Sequence, residues 1–154
     1  MHPRCRAFSL IELLATVVLI STLAALIAPA FTGVIQRAKA DTEMSDLMRV
    51  LKFAHLEAID RGQSLRVMPS VAGGDWSSEL KVVTIADPDT PLRVVPAMAS
   101  DAVVNAPGVT AIDFNNLGGL AAPATAVAMT YVLGSVSRTF NVCINGRIVQ
   151  GGRC

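Results

Sequence analysis

Between Glu12 and Arg37 the chain carries twenty-four consecutive uncharged residues, opening with Leu13-Leu14-Ala15-Thr16-Val17-Val18-Leu19-Ile20. An apolar stretch of roughly 18 or more residues can span a bilayer as a helix, because about 20 residues rising 1.5 Å each cross the hydrocarbon core. Phe8 to Phe31 meets this requirement apart from Glu12 near its start and Pro29 near its end. The run also explains a composition that is 52% hydrophobic and only 16% charged, against about 25% charged in ordinary soluble domains. Such apolarity excludes an intrinsically disordered chain. Beyond Gln36 the sequence is a normal globular mixture, and 154 residues predict one domain. A net charge of +1 makes no global case for nucleic acid or an acidic partner.

Three readings of the N-terminus compete. In the first it is a secretory signal peptide, with Arg4 and Arg6 as a basic region, Leu13–Ile27 as the apolar region and Ala28-Pro29-Ala30 as the cleavage site. A plain single-pass anchor is the second. The third is a short leader cut before the apolar stretch. Glu12 separates them, since a carboxylate within an apolar helix costs a few kcal/mol unless paired or neutralised. Cleavage after Ala7 would give Phe8 a free α-amino group, and Glu12 lies four residues on, one turn away on the same helix face. The cut thus creates the cation that Glu12 lacks.

Ala7-Phe8-Ser9-Leu10-Ile11-Glu12-Leu13-Leu14 resembles the type IV prepilin signature, in which Gly precedes the cut and Phe-Thr-Leu-Ile-Glu-Leu follows. The residue before the cut here is Ala7, a departure from the usual Gly. The resemblance implies that a prepilin peptidase removes Met1–Ala7 on the cytoplasmic side and methylates Phe8. It also implies that Pro29 kinks the helix, as a proline does at this place in many type IV pilins. Counting Lys and Arg does not orient the segment, because Arg4 and Arg6 on one flank face Arg37, Lys39, Arg49 and Lys52 on the other. The leader resemblance does: the N-terminus is cytoplasmic, the segment is a single pass through the bacterial inner membrane, and the globular part is periplasmic.

Loss of the leader would remove Cys5 and leave Cys143 and Cys154, an even pair in an oxidising compartment. Between them lies Asn145-Gly146, a strong hairpin-turn signal, flanked by Thr139–Val142 and Arg147–Gln150. A Cys143–Cys154 bond would pin the C-terminal tail to that hairpin and stabilise by about 2–3 kcal/mol. Two free thiols are the alternative. The spacing is wrong for C-x-x-C redox chemistry, and no histidine lies nearby for a metal site.

After Pro29 the helical period continues. Val34, Ala38, Met44, Leu47, Met48, Leu51, Ala54 and Ala58 mark one buried face, Asp46 with Arg49 and Glu57 with Arg61 are spaced for ion pairs, and Gly62 caps the end. The predicted helix is 8–61, with residues 8–31 in the membrane or filament core and 32–62 amphipathic. From residue 63 to 154 the signals are those of strands: Leu65–Met68, Leu80–Ile85, Leu92–Val95, Val109–Phe114, Ala126–Leu133 and the final hairpin, with loops at Gly73-Gly74-Asp75 and Asn115–Gly119. One long helix followed by an antiparallel sheet is an α+β domain, and with the leader resemblance it is the type IV pilin-like fold.

Phe53-Ala54-His55-Leu56-Glu57-Ala58-Ile59-Asp60-Arg61-Gly62-Gln63-Ser64 resembles the helix end of the GspH/FimT-type (FimU-like) minor pilins. Asp75-Trp76-Ser77 resembles their Trp loop, and Ile112-Asp113-Phe114-Asn115 with Gly118 their F-x-x-x-G turn. This resemblance implies a minor pilin that primes or decorates a type IV pilus, with the minor pseudopilin of a type II secretion system as the alternative. Its implied partners are the prepilin peptidase, other major and minor pilins or pseudopilins, and the inner-membrane assembly platform.

Catalytic constellations are absent from the sequence: there is no H-E-x-x-H, G-x-S-x-G or Walker loop. His2 would go with the leader, and His55 stands alone on the helix as a solvated side chain. No enzyme activity, cofactor or metal is expected, so function must come from assembly, with Glu12 pairing to the N-terminal amine of a neighbouring subunit and setting register. DNA is a further candidate partner. Some members of the family bind it through a C-terminal Gly-Arg-x-Arg motif, and Gly146-Arg147-Ile148-Val149 has only the first arginine, with Arg153 four residues after Val149. No acidic side chain occurs after Asp113, which leaves Arg138, Arg147 and Arg153 as candidate phosphate contacts. Without Arg4 and Arg6, however, eleven basic face twelve acidic side chains, and two or three cations make a weak, salt-sensitive site. A solvated hairpin end is the plainer reading.

Overall fold

The computed structural model describes residues 9–99 and 101–154. The leader and Phe8 lie outside the described residues. The chain divides into two units, Met1–Arg37 and Ala38–Cys154, and one helix, α1 (Leu10–Arg61), contributes to both.

In the first unit α1 begins at Ser9, whose carbonyl accepts the N–H groups of Glu12 at 3.0 Å and Leu13 at 3.2 Å. A serine flanking the first turn and an acid within it suit the positive end of a helix. Large apolar side chains then stand exposed around the helix: Leu10, Ile11, Leu13, Leu14, Val17, Val18, Leu19, Ile20 and Leu23. Among the described residues no helix is long and apolar enough to cross a membrane. The described part of the apolar run stops at Ala25, because the side chains of residues 26–30 lie outside the description. The helix itself continues through Pro29, so the expected kink concerns a residue whose side chain is not described.

In the second unit the helix turns amphipathic. Ala40, Met44, Leu47, Val50, Leu51, Ala54 and Ala58 are buried, at the three- and four-residue steps of one face. The expected face was placed too early, since Val34 and Ala38 are exposed and burial starts at Ala40. The apolar period runs on ahead of the point where the sheets first cover the helix. The end of α1 is a Schellman cap: Gln63 N–H donates to Ala58 O at 3.1 Å and Gly62 N–H to Ile59 O at 3.2 Å, with Gly62 at φ +61°.

Among the described residues nine antiparallel strands follow, in two sheets where the sequence predicted one. The five-stranded sheet has the order β3-β2-β1-β5-β6, from β1 (Leu65–Pro69), β2 (Leu80–Thr84), β3 (Pro91–Val95), β5 (Ile112–Phe114) and β6 (Leu120–Ala122). The four-stranded sheet has the order β4-β7-β8-β9, from β4 (Ala102–Asn105), β7 (Val127–Leu133), β8 (Val136–Val142) and β9 (Ile148–Gln150). Alternate residues face the core, as the period of two requires: Leu65 and Val67 on β1, and Val127, Met129, Tyr131 and Leu133 on β7. Strand β5 starts later than the expected Val109. Val109 N–H is taken by Ala106 O in a turn with Gly108 at φ +73°, and Val109 O accepts the Trp76 indole N–H at 2.7 Å. Trp76 is thereby buried with its one donor satisfied.

The helix is tied to both sheets by polar contacts as well as by the core. Glu43 accepts from Tyr131 Oη on β7 at 2.6 Å and from Ala99 N–H at 3.1 Å. Arg138 on β8 reaches Asp41 at 3.0 Å. Further along, Arg93 on β3 stacks 5.0 Å over the Phe53 ring.

Candidate assembly and binding sites

The expected cleavage position, Ala7 and Phe8, lies outside the described residues. Glu12 is the nearest described candidate. It sits exposed in the first turn of α1 and forms no ion pair among the described residues. Its polar neighbours are treated differently. Thr16, Ser21 and Thr22 each donate back to a helix carbonyl, to Leu13 O at 2.8 Å, Val17 O at 2.7 Å and Leu19 O at 2.9 Å. That is how hydroxyls are satisfied within a helix when the surroundings offer no water. From Leu10 to Ala25, Glu12 is therefore the one side-chain polar group whose partner must come from outside the described residues.

At the other end of the chain Cys143 and Cys154 form a disulfide, with Cα atoms 5.3 Å apart. It closes the hairpin in which β8 and β9 pair Val142 with Ile148. The turn runs from Cys143, whose carbonyl accepts Gly146 N–H at 2.8 Å, to Arg147, whose carbonyl accepts Cys143 N–H at 2.8 Å. Gly146 takes the left-handed position, φ +77°, as the glycine after a type I turn does. Asn141 Nδ2 donates to Gly152 O at 2.6 Å, so the tail is held at a second point.

His55 is not the solvated side chain expected from the sequence. It is part-buried, its Nδ1–H donates to Gly118 O at 2.8 Å, and its ring lies edge-on to Phe114 with centroids 5.8 Å apart. The donor assignment follows from chemistry, because a carbonyl can only accept. Three segments converge on this ring: the end of α1, the Asn115–Gly119 turn and the Cys143–Arg147 turn. The approach is so close that a Cβ on Gly146 would overlap Gly118 O and His55 Nδ1. The Asn115 side chain shapes the middle segment by accepting from Leu117 N–H and Gly119 N–H. The residues of the F-x-x-x-G resemblance are thus Phe114 in the core and Gly118, at φ +82°, under His55 and Ile59.

The three candidate arginines are not brought together as a set. Arg147 and Arg153 are exposed, at the hairpin turn and in the disulfide-held tail, and neither has an ion pair among the described residues. Arg138 stands on the early part of β8 and is neutralised by Asp41.

Two polar constellations escaped the sequence reading. Arg66 and Asp113 lie opposite each other in the β1–β5 register and pair through two bonds of 2.7 Å. Asp113 is only 4% exposed, and the hydrogen bond that its carboxylate accepts raises the Arg66 pKa above its ordinary value. Glu43 is the second. It lies three residues after Ala40 and four before Leu47, inside the buried stripe, and that placement was the available signal. Burial, then the bond to Glu43, raises the Tyr131 pKa far above 10, so the phenol stays a donor.

Two family models match the sequence. One is described as the prokaryotic N-terminal methylation motif and covers residues 2–28; the other is described as the type II transport protein GspH and covers residues 43–147. No curated protein matches the chain. Among solved structures, the type IV minor pilin FimU of Pseudomonas aeruginosa (strain PAO1) matches in two crystal forms, both at 18% identity. The TM-scores are 0.63 and 0.61, over 76% and 75% of this chain and 88% and 92% of that one. Identity at this level establishes a shared fold, an α+β pilin-like helix on antiparallel sheets. The GspH match covers most of the chain, and with the methylation motif ahead of it the conclusion follows: this chain belongs to the GspH family of type IV pilin-like minor pilins and pseudopilins.

Proposed function

We propose that the protein is a minor pilin of a type IV pilus, one that primes or decorates the filament and acts by assembly and not by catalysis. The observation that carries this reading is the first unit's helix surface. From Leu10 to Ala25 its large apolar side chains are exposed, with the hydroxyls of Thr16, Ser21 and Thr22 turned back onto the backbone and one carboxylate, Glu12, left for a partner. A helix apolar all round belongs in a bilayer or among like helices. In this reading prepilin peptidase removes residues 1–7 and methylates Phe8, the apolar helix anchors the chain once through the inner membrane, and the sheets stand in the periplasm. On the assembly platform the helix leaves the lipid to join other pilins, and Glu12 pairs with the Phe8 amine, in its own chain or a neighbour's. The pilus is put first because the solved structures that share this fold are of a pilus minor pilin, although the fold itself is common to both systems.

The type II secretion pseudopilus is the second reading, favoured by the description of the family model that matches residues 43–147. Pili sheared from the surface of a deletion strain, with wild-type and Glu12→Ala complements, discriminate. Loss of pili restored by the wild type alone is the expected result. Normal pili in the deletion strain would overturn the pilus reading in favour of secretion.

DNA contact is a lesser part of the proposal and rests on Arg147 and Arg153 alone, since Arg138 is occupied by Asp41. Arg147→Gln is expected to weaken DNA binding and flatten its salt dependence, with the melting temperature unchanged. Unchanged binding would remove DNA from the list of partners.

A further inference from the structure

Strand β3 ends one side of the five-stranded sheet and pairs only with β2 among the described residues. Every second residue of such an edge turns its N–H and C=O groups away from the sheet, open to another strand. Pro91 and Pro96 bracket the edge, so the open stretch is Leu92–Val95. Prolines at both ends keep it too short for sheet to join sheet, yet leave room for one short segment.

Against this edge lies a cavity of about 290 Å³. Glu43, Leu47 and Val50 of α1 form one wall, and Arg93, Val94 and Val95 of β3 form the other. Consecutive strand residues point to opposite faces of a sheet, so a cavity lined by three in a row runs along the strand's edge and not over one face. Its charged groups are unequally engaged. Both Glu43 oxygens already accept, from Ala99 N–H and Tyr131 Oη, and Asp46 holds Arg49 at 2.8 Å. Arg93 is part-buried over the Phe53 ring, with no ion pair or hydrogen bond to any described residue. Formal charge in the cavity is balanced, but hydrogen-bonding capacity is not. The guanidinium keeps its N–H donors open, in a fork that fits a carboxylate.

We infer that this cavity takes an extended segment of a different protein subunit, which pairs along the β3 edge, lays an apolar side chain between the two walls and gives one Asp or Glu carboxylate to Arg93. Nucleic acid would need several open cations, and the cavity offers one. The inference rests on the assembly reading above and adds the chemistry by which this chain selects a neighbour unlike itself.

The test titrates the full chain in detergent micelles with acetylated, amidated nonapeptides that alternate valine and threonine and carry glutamate, glutamine or lysine at the centre. Amide NMR shifts locate and quantify binding. The glutamate peptide is expected to shift Leu92–Val95 and the Glu43–Val50 turns of α1, and to bind about fivefold more tightly than the glutamine peptide, with lysine the weakest. Arg93→Gln is expected to erase the glutamate advantage while the glutamine peptide still binds, which also shows that the variant is folded. Methylating alternate peptide nitrogens on the edge-facing side is expected to abolish binding. No shifts at β3, glutamate no better than glutamine, a preference that survives Arg93→Gln, or indifference to N-methylation would overturn the inference. The same shifts on concentrating the protein without peptide would mean that a second copy fills the cavity, and would overturn the choice of a different subunit. Failure of the pilus reading is seen separately, as normal pili in the deletion strain.

Discussion

Gly146 shows how far a single residue constrains this molecule. Its backbone is left-handed and the space its Cβ would need is filled by Gly118 O and the His55 ring. Gly146→Ala is therefore expected to destabilise by more than the 1–2 kcal/mol of the conformational cost alone. Gly151 has a similar φ, +63°, with nothing within 4 Å of a Cβ, so Gly151→Ala should show only that cost. Thermal melts of the two variants give the comparison, and equal losses would contradict the crowding. Asp113 makes the same point for charge. Removing its partner in Arg66→Leu leaves a carboxylate buried and unpaired, a loss of about 3 kcal/mol. A melting temperature near wild type would show that the pair is not what holds β1 to β5. Neither case was visible in the sequence. Arg66 and Asp113 are 47 residues apart, and only the strand register brings them face to face.

At the level of elements, legibility followed length and local chemistry. The helix was readable because its period persists over many turns and a glycine ends it at the right-hand limit. Its buried face was read too early by two residues, Val34 and Ala38, because periodicity reports an apolar stripe and not what covers it. Strands β4 and β6 were missed because they are short and contain small residues, Ala102, Ala121 and Ala122. With β4 missed, the four-stranded sheet could not be told from the other. His55 was misread for a related reason: its partner, Gly118 O, is a backbone atom 63 residues away, and no side-chain pattern announces a backbone acceptor. The hairpin and its disulfide were legible from Asn145-Gly146 and two cysteines. Cys143→Ala with Cys154→Ala is expected to cost about 2–3 kcal/mol, the loop-closure value for so short a loop. Chemical denaturation reads this directly, and an unchanged midpoint would mean that the Asn141–Gly152 bond and the β8–β9 pairing hold the tail alone.

For the whole molecule, one sequence yields a helix with two kinds of surface. Its large apolar side chains from Leu10 to Leu23, and Phe31, Val34 and Ile35, are exposed; from Ala40 onward one stripe is buried under two sheets. Family membership was legible at both ends of the chain, from the motif around Glu12 and from the residues around Gly62 and Phe114. The choice between pilus and secretion pseudopilus was not, because both systems use this leader and this fold, and what differs is the neighbouring subunits. In the proposed function the N-terminal segment is processed as a prepilin, and Glu12 thereby gains its cation. The intact mass of the protein purified from membranes tests it most directly. A chain beginning at Phe8 and carrying one added methyl group is the expected result. A chain beginning at Phe31 would mean that the apolar helix was discarded as a signal peptide, and would contradict the account.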